Sequence, residues 1–271
     1  IGFGYYAGVI GAYNGLRAYG LKNNTFSIPK AIDLKDRQEF NSILKSLSIP
    51  NMKILLTGKG RVGSGTKEVL DFLKIKEVSA QDFINETYNE SVYVNIDVLD
   101  YNYSDSIENT VSNFYNYPEK FRSTFSKFLS VSDIYFAGHY HNPKAPKLIT
   151  LDDIKNPDFN VQVIADISCD IDGPIASTIR PSTIENPTYG FHKEKLVECD
   201  FLDENALAVM AVDNLPCELP RDSSEMFGEM FLKYVIPSFF NNDQENILKN
   251  SKITSEGSLT DRFSYLSDYI Q

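Results

Sequence analysis

The sequence predicts a doubly wound α/β fold: a parallel sheet with helices on both faces. Three observations lead there. Four short apolar runs, 92–98, 133–137, 161–167 and 206–212, are nearly continuous rather than alternating, as in strands covered on both faces. Helical stretches alternate with them. A fifth run, Met52–Thr57, flows into the glycine turn GKGRVGSG and then directly into a helix predicted over Thr66–Leu73.

The elements follow in order. Residues 1–21 mix Gly and Ala with Tyr6, Ile10, Tyr13 and Leu16 at spacings of three and four, which predicts a buried helix whose small residues admit a second backbone. Each glycine there costs roughly 1 kcal/mol of helix propensity against Ala, so packing has to offset it. A polar stretch follows, with an amphipathic helix predicted over Leu34–Leu47 between Pro29 and Pro50. Beyond the glycine turn, Glu119–Leu129 reads as a further helix between strands. After Pro216 a capped helix is expected, with Asp222 or Ser223 as N-cap and Glu225 in the first turn, where the helix dipole favours an acid. The last 30 residues, rich in Asn, Ser and Asp, read as a surface helix and tail.

Composition narrows the function. The 271 residues carry 26 Lys+Arg against 37 Asp+Glu, a net charge of −11, which opposes binding to phosphate backbones. No nucleic-acid partner is expected. No run approaches 18 apolar residues and no basic leader is readable, so neither a membrane span nor a signal peptide is predicted and a cytoplasmic location is expected. Three cysteines, Cys169, Cys199 and Cys217, lack paired spacing and suit reduced thiols better than a disulfide frame or zinc site.

The strongest local signal is Gly58-x-Gly60-x-x-Gly63 between strand and helix. There the first glycine makes the tight turn, the second lets backbone approach a pyrophosphate, and the third lets helix and strand pack closely. Dinucleotide binding is the expectation. The acid that holds the adenosine ribose lies about 20 residues on in such motifs, which points to Asp82 ahead of Glu77, with a helix-cap role as the alternative for Asp82. Asp170 and Asp213 fall at the carboxyl ends of predicted strands, where ligands of open α/β sheets sit; turn capping is the competing reading. His139, Tyr140 and His141 follow the 133–137 run. The two histidines lack a third metal ligand, so no metal is expected and a contact along the nicotinamide side of the cofactor is preferred. His192 reads as a surface residue. Cys169 has no histidine partner for thiol nucleophilicity, and Arg221 is either a carboxylate anchor or a surface charge.

Together IGFGYYAGVIGAYNGLRAYG, GKGRVGSG, AGHYHNPKAP, VIADISCDIDGPIASTIRPSTIENP and VMAVDNLPCELPRDSSEMF, in order over residues 1 to about 237, resemble the lysine-forming saccharopine dehydrogenases within the wider alanine dehydrogenase and transhydrogenase superfamily. The resemblance implies a two-domain NAD enzyme that oxidises the secondary amine joining two amino acids, releasing lysine and 2-oxoglutarate, or runs in reverse. It implies a Rossmann domain inserted into the chain of a catalytic domain. On that plan residues 1–21 are the helix crossing between domains, 22–212 bind NAD and 213–271 return to the catalytic domain. Gly58, Gly60, Arg61, Val62 and Gly63 would face the pyrophosphate, Asp82 the ribose, and His139 and Tyr140 the nicotinamide side. Asp170 and Asn214 match active-site positions and Asp213 a nicotinamide-ribose contact. The family's general acid and base, a lysine and a histidine, belong to an N-terminal domain that no segment here resembles. On this reading the chain is N-terminally truncated and binds NAD and a small amino-acid substrate, but turns over poorly alone, since the amine must lose a proton and the imine needs managed attack by water. Alanine dehydrogenase activity and a non-catalytic NAD-sensing module remain the alternatives.

Overall fold

The computed structural model describes residues 1–270. It contains two compact units, Phe3–Pro220 and Ile1–Gly2 with Arg221–Gln271. These boundaries differ from the expected 1–21, 22–212 and 213–271, because the first helix packs into the same unit as the sheet and that unit runs on to Pro220.

The first unit opens with α1 (Gly4–Lys22), buried on every side by Val9, Ile10, Ala12, Tyr13 and Leu16. Its small residues are used as expected. A side chain at Gly8 would overlap the Val62 carbonyl and lie 2.9 Å from the Thr66 amide nitrogen, while one at Gly15 would meet Ala165 at 2.8 Å. Thr66 Oγ1 donates to the Gly8 carbonyl at 3.0 Å and ties the two backbones together. Helix α2 (Arg37–Ser46) is capped by Asp36, which accepts from Gln38 N and Glu39 N, and it buries Phe40 against Tyr13.

The sheet has eight strands: β1 (Lys53–Thr57), β2 (Lys76–Glu77), β3 (Val92–Ile96), β4 (Ile134–Ala137), β5 (Val163–Asp166), β6 (Thr188–His192), β7 (Glu198–Cys199) and β8 (Ala206–Met210). Their spatial order is β2-β3-β1-β4-β5-β8-β6-β7. Six strands run parallel; β6 and β7 are antiparallel additions at one edge. All five apolar runs are strands with buried faces. The added edge was not anticipated, because TYGFH is interrupted by glycine and bounded by polar residues. It also corrects His192: the ring is 6% exposed, and its Nδ1 accepts from the Glu194 and Lys195 amides at 3.2 Å.

Helix α3 (Arg61–Phe72) follows β1, and α4 (Ala80–Asn85) lies between β2 and β3. The helix expected over 119–129 is broken into a single turn at Pro118–Lys120, a two-residue strand Arg122–Ser123 paired with Asn102–Tyr103, and one turn at Ser126–Leu129. Phe121, Phe125 and Phe128 imitate helical spacing, but the Tyr101 carbonyl takes the Thr124 amide at 2.8 Å and holds the middle extended.

The second unit holds most of a helix, Pro220–Tyr234, which begins at its proline, a favoured first position since the missing N–H has no intrahelical partner there. Asp222 and Ser223 therefore sit inside the first turn rather than capping it. Later residues form a short helix Ile247–Ser251, a hairpin turning at Glu256 and Gly257, and a 3₁₀ stretch Asp261–Tyr269, in place of a single surface helix. Among the described residues no helix is long and apolar enough to cross a membrane.

Candidate cofactor site

The chain leaves β1 toward β3 on one side, and β4 begins the other half, so the crevice between the carboxyl ends of β1 and β4 is the switch point at which ligands bind in such sheets. Each glycine of the turn there has a separate physical task. Gly58 has φ +97°, and a Cβ on it would fall 2.6 Å from the Gly138 carbonyl carbon after β4. A Cβ on Gly63 would lie 2.7 Å from the Gly58 carbonyl carbon, so α3 packs onto the turn. Gly60 is different: its backbone is extended and a Cβ there would meet no atom within 4 Å. That empty side opens into a cleft of about 430 Å³.

Gly60 also caps α3 without a side-chain bond, and the first turn contains no acid. It carries Arg61 instead, a placement that opposes the helix dipole unless an anion shares the site. Gly58, Gly60, Arg61, Val62, His139 and Tyr140, all expected along the cofactor, line the cleft together, and Gly63 supports it from behind.

Asp82 and Glu77 do not reach this cleft. Asp82 is exposed in the first turn of α4, its amide bonded to Ser79 Oγ at 3.1 Å, and Glu77 on the edge strand pairs with Lys67 at 2.7 Å. The acid in the cleft is Asp97, directly after β3, the strand that neighbours β1. Its Oδ1 accepts from Val98 N at 2.7 Å and its own amide donates to Asp100 Oδ2 at 2.7 Å, which fixes the carboxylate at the strand end. The interval of about 20 residues assumes one helix between β1 and its neighbour; here β2 and α4 intervene. The usable signal was an acid closing the apolar run 92–96.

His139 forms the inner wall. It is buried, and Thr57 Oγ1 lies 2.8 Å from its Nδ1 and 2.9 Å from the Tyr135 hydroxyl. Burial, aided by His141, pushes the imidazole down to about 3, so the ring is neutral. Tyr140 is 78% exposed at the mouth.

A second cavity of about 410 Å³ lies at the ends of β4 and β5, lined by His141, Lys147, Cys169 and Asp170. Its loop is anchored by Asp166, buried at the end of β5, which accepts from Ser168 Oγ and Thr178 Oγ1 at 2.6 Å and from Cys169 N at 3.1 Å. Burial pushes the Cys169 thiol up to about 12, with Asp166, Asp213 and Asp170 adding to it, and its Sγ donates to the Ala211 carbonyl. The thiol stays protonated and is no nucleophile. Asp213 and Asn214 are exposed just after β8 and do not line the first cleft; Asp213 lies near Cys169, whose thiol it helps to raise. Among the described residues no cluster of three His, Cys, Asp or Glu forms that would hold a metal.

A mainly parallel sheet flanked by helices, with a glycine-lined crevice at its switch point, places the molecule in the Rossmann-like class. Residues 94–264 match the family model "Alanine dehydrogenase/PNT, C-terminal domain", and the chain belongs to that family. Among curated relatives, the mitochondrial alpha-aminoadipic semialdehyde synthase of Rattus norvegicus is 24% identical over 98% of this chain and 34% of that protein. The saccharopine dehydrogenase (NAD(+), L-lysine-forming) of Emericella nidulans is 30% identical over 40% of this chain and 28% of that protein. The chain thus spans about a third of the length of the synthases it matches. A solved L-alanine dehydrogenase aligns at TM-score 0.46 and 13% identity, over 91% of this chain and 56% of that one.

Proposed function

We propose that the cleft binds NAD and that this chain is the cofactor-binding part of an oxidoreductase acting on the CH–NH group of an amino-acid-derived substrate, with saccharopine, converted to L-lysine and 2-oxoglutarate, as that substrate. The observation that carries the reading is that Gly60, with open space where a Cβ would stand, and Asp97 line one cleft at the switch point. Bound NAD would supply the hydride acceptor that oxidation of an amine-bearing carbon needs. The chain's own residues supply the rest. The first-turn amides of α3 and the Arg61 guanidinium hold the pyrophosphate. Asp97 accepts from the ribose hydroxyls, and its charge repels a 2′-phosphate, which favours NAD over NADP. Asp170 and Asn214 are proposed on the substrate side, and Asp213 at the nicotinamide ribose. The name of the saccharopine dehydrogenase relatives supports the choice of substrate.

Titration of the chain with NAD and NADP tests the cofactor. Asp97→Ala is expected to weaken NAD about tenfold to hundredfold, roughly 1.4–2.8 kcal/mol, and to narrow the gap to NADP; Asp82→Ala is expected to leave affinity unchanged. Parallel assays of the full-length protein with saccharopine and with alanine, following NADH, test the reaction. Turnover of alanine alone would replace the substrate, and NAD binding without turnover of either would leave a sensing module.

A further inference from the structure

At the base of the cleft three side chains from two adjacent strands form a closed hydrogen-bonded row. Thr57 ends β1, Tyr135 stands on β4, and His139 follows β4; the contacts are 2.9 Å from Tyr135 Oη to Thr57 Oγ1 and 2.8 Å from Thr57 Oγ1 to His139 Nδ1. Thr57 and Tyr135 are fully buried, and among the described residues neither hydroxyl has another partner. On the opposite edge of the ring, His139 Nε2 is buried and has no partner among the described residues, although His139 lines the cleft.

The direction of the row follows from counting hydrogens. If Tyr135 donates to Thr57 and Thr57 donates to Nδ1, both hydroxyl hydrogens are used and only Nε2–H is left over. If Nδ1–H donates to Thr57 and Thr57 to Tyr135, the phenol hydrogen and the Nε2 lone pair are both stranded. Buried unsatisfied groups are costly, so the arrangement with one left over prevails over the arrangement with two. The group left over is a donor, beside a crevice whose expected ligand is rich in acceptor oxygens.

We infer that Tyr135 and Thr57 are positioning residues which hold neutral His139 in its Nε2–H tautomer, so that the ring presents a fixed hydrogen-bond donor to an oxygen of the bound nucleotide. This rests on the proposal that the cleft binds NAD. Thr57 and Tyr135 act only through the imidazole and make no contact with the nucleotide. A neutral donor at this depth spares the site the cost of burying a cation.

The test uses the full chain labelled with ¹⁵N-histidine, reading the tautomer from the nitrogen resonances of His139 and affinity from NAD⁺ titration. The free wild type is expected to show Nε2–H, and NAD⁺ to shift that resonance. Thr57→Val and Tyr135→Phe, both near-isosteric, are expected to give mixed tautomers and about threefold to tenfold weaker NAD⁺ binding, the loss of one hydrogen bond, with Thr57→Ser restoring both. An Nδ1–H ring in the free wild type, or weakened binding in the variants with the tautomer unchanged, would overturn the relay. Asn102 Oδ1, another buried atom without a partner, lines a small cavity that His139 also touches. If Nε2–H is engaged there, NAD⁺ will bind without moving its resonance, and the donor role falls. Absence of NAD⁺ binding by the wild type would instead remove the cofactor assignment itself, whichever tautomer is seen.

Discussion

Gly60→Val is expected to leave the chain folded and to abolish NAD binding. The backbone at Gly60 has φ −85° and ψ −163°, an extended conformation that valine adopts readily, and a Cβ there would meet no protein atom within 4 Å. The isopropyl group would project into the space beside the first turn of α3, where a pyrophosphate must come within hydrogen-bonding distance of the backbone. Affinity should fall at least about hundredfold, or roughly 2.7 kcal/mol, while circular dichroism and the unfolding midpoint stay near wild type. Calorimetric titration decides it, and retained affinity would remove the pyrophosphate from this turn. Gly63 gives the opposite pattern. A Cβ on it would run into the Gly58 carbonyl, so Gly63→Ala should lower stability before any ligand is added.

The second large effect concerns Glu218, on the turn that follows Asn214. The side chain is 1% exposed, and Asn14 Nδ2 on α1 donates to its Oε1 at 2.7 Å, while Oε2 has no partner. Burial pushes its carboxyl up to about 7; the Asn14 bond, Arg17 and Lys30 oppose the shift, and Glu185 adds to it. An unfolded glutamate titrates near 4.5. Between those values the folded chain holds a proton that the unfolded chain has released. Stability therefore falls as pH rises from about 4.5 to about 7 and is flat above, a loss of about 3 kcal/mol from this one group. Glu218→Gln keeps the shape and the acceptor for Asn14 but removes the titration. Its urea midpoint should match wild type near pH 4.5 and exceed it at pH 8; parallel curves for the two proteins would exclude the assignment.

What was legible in the sequence follows from how each element is stabilised. The five apolar runs and the small-residue helix declare themselves because burial on both sides demands uninterrupted apolar side chains, as in ILL of β1 and IYFA of β4. Strands β6 and β7 are hidden in the sequence, since glycine interrupts TYGFH, polar residues bound it, and the edge strand β7 is only two residues long. Gly58 and Gly63 are readable because a close backbone approach requires each of them, whereas Gly60 stands in open space and is readable only from the motif. A count along the chain points to Asp82, whereas Asp97 lines the cleft, because such a count cannot show that β2 docks outside β3, leaving β3 and its terminal Asp97 beside β1. The row of Thr57, Tyr135 and His139 was beyond reach, since its members meet only through the pairing of β1 with β4.

The close approach of α1 to α3 has a consequence for how the cleft responds to a ligand. Without side chains between Gly8 and the Val62–Thr66 backbone, the two helices share no compressible layer, and the Thr66 bond to the Gly8 carbonyl clamps them further. The first turn of α3 therefore rests on a stiff backing, so a ligand that met it there would find its amides already ordered and would lose little entropy in fixing them.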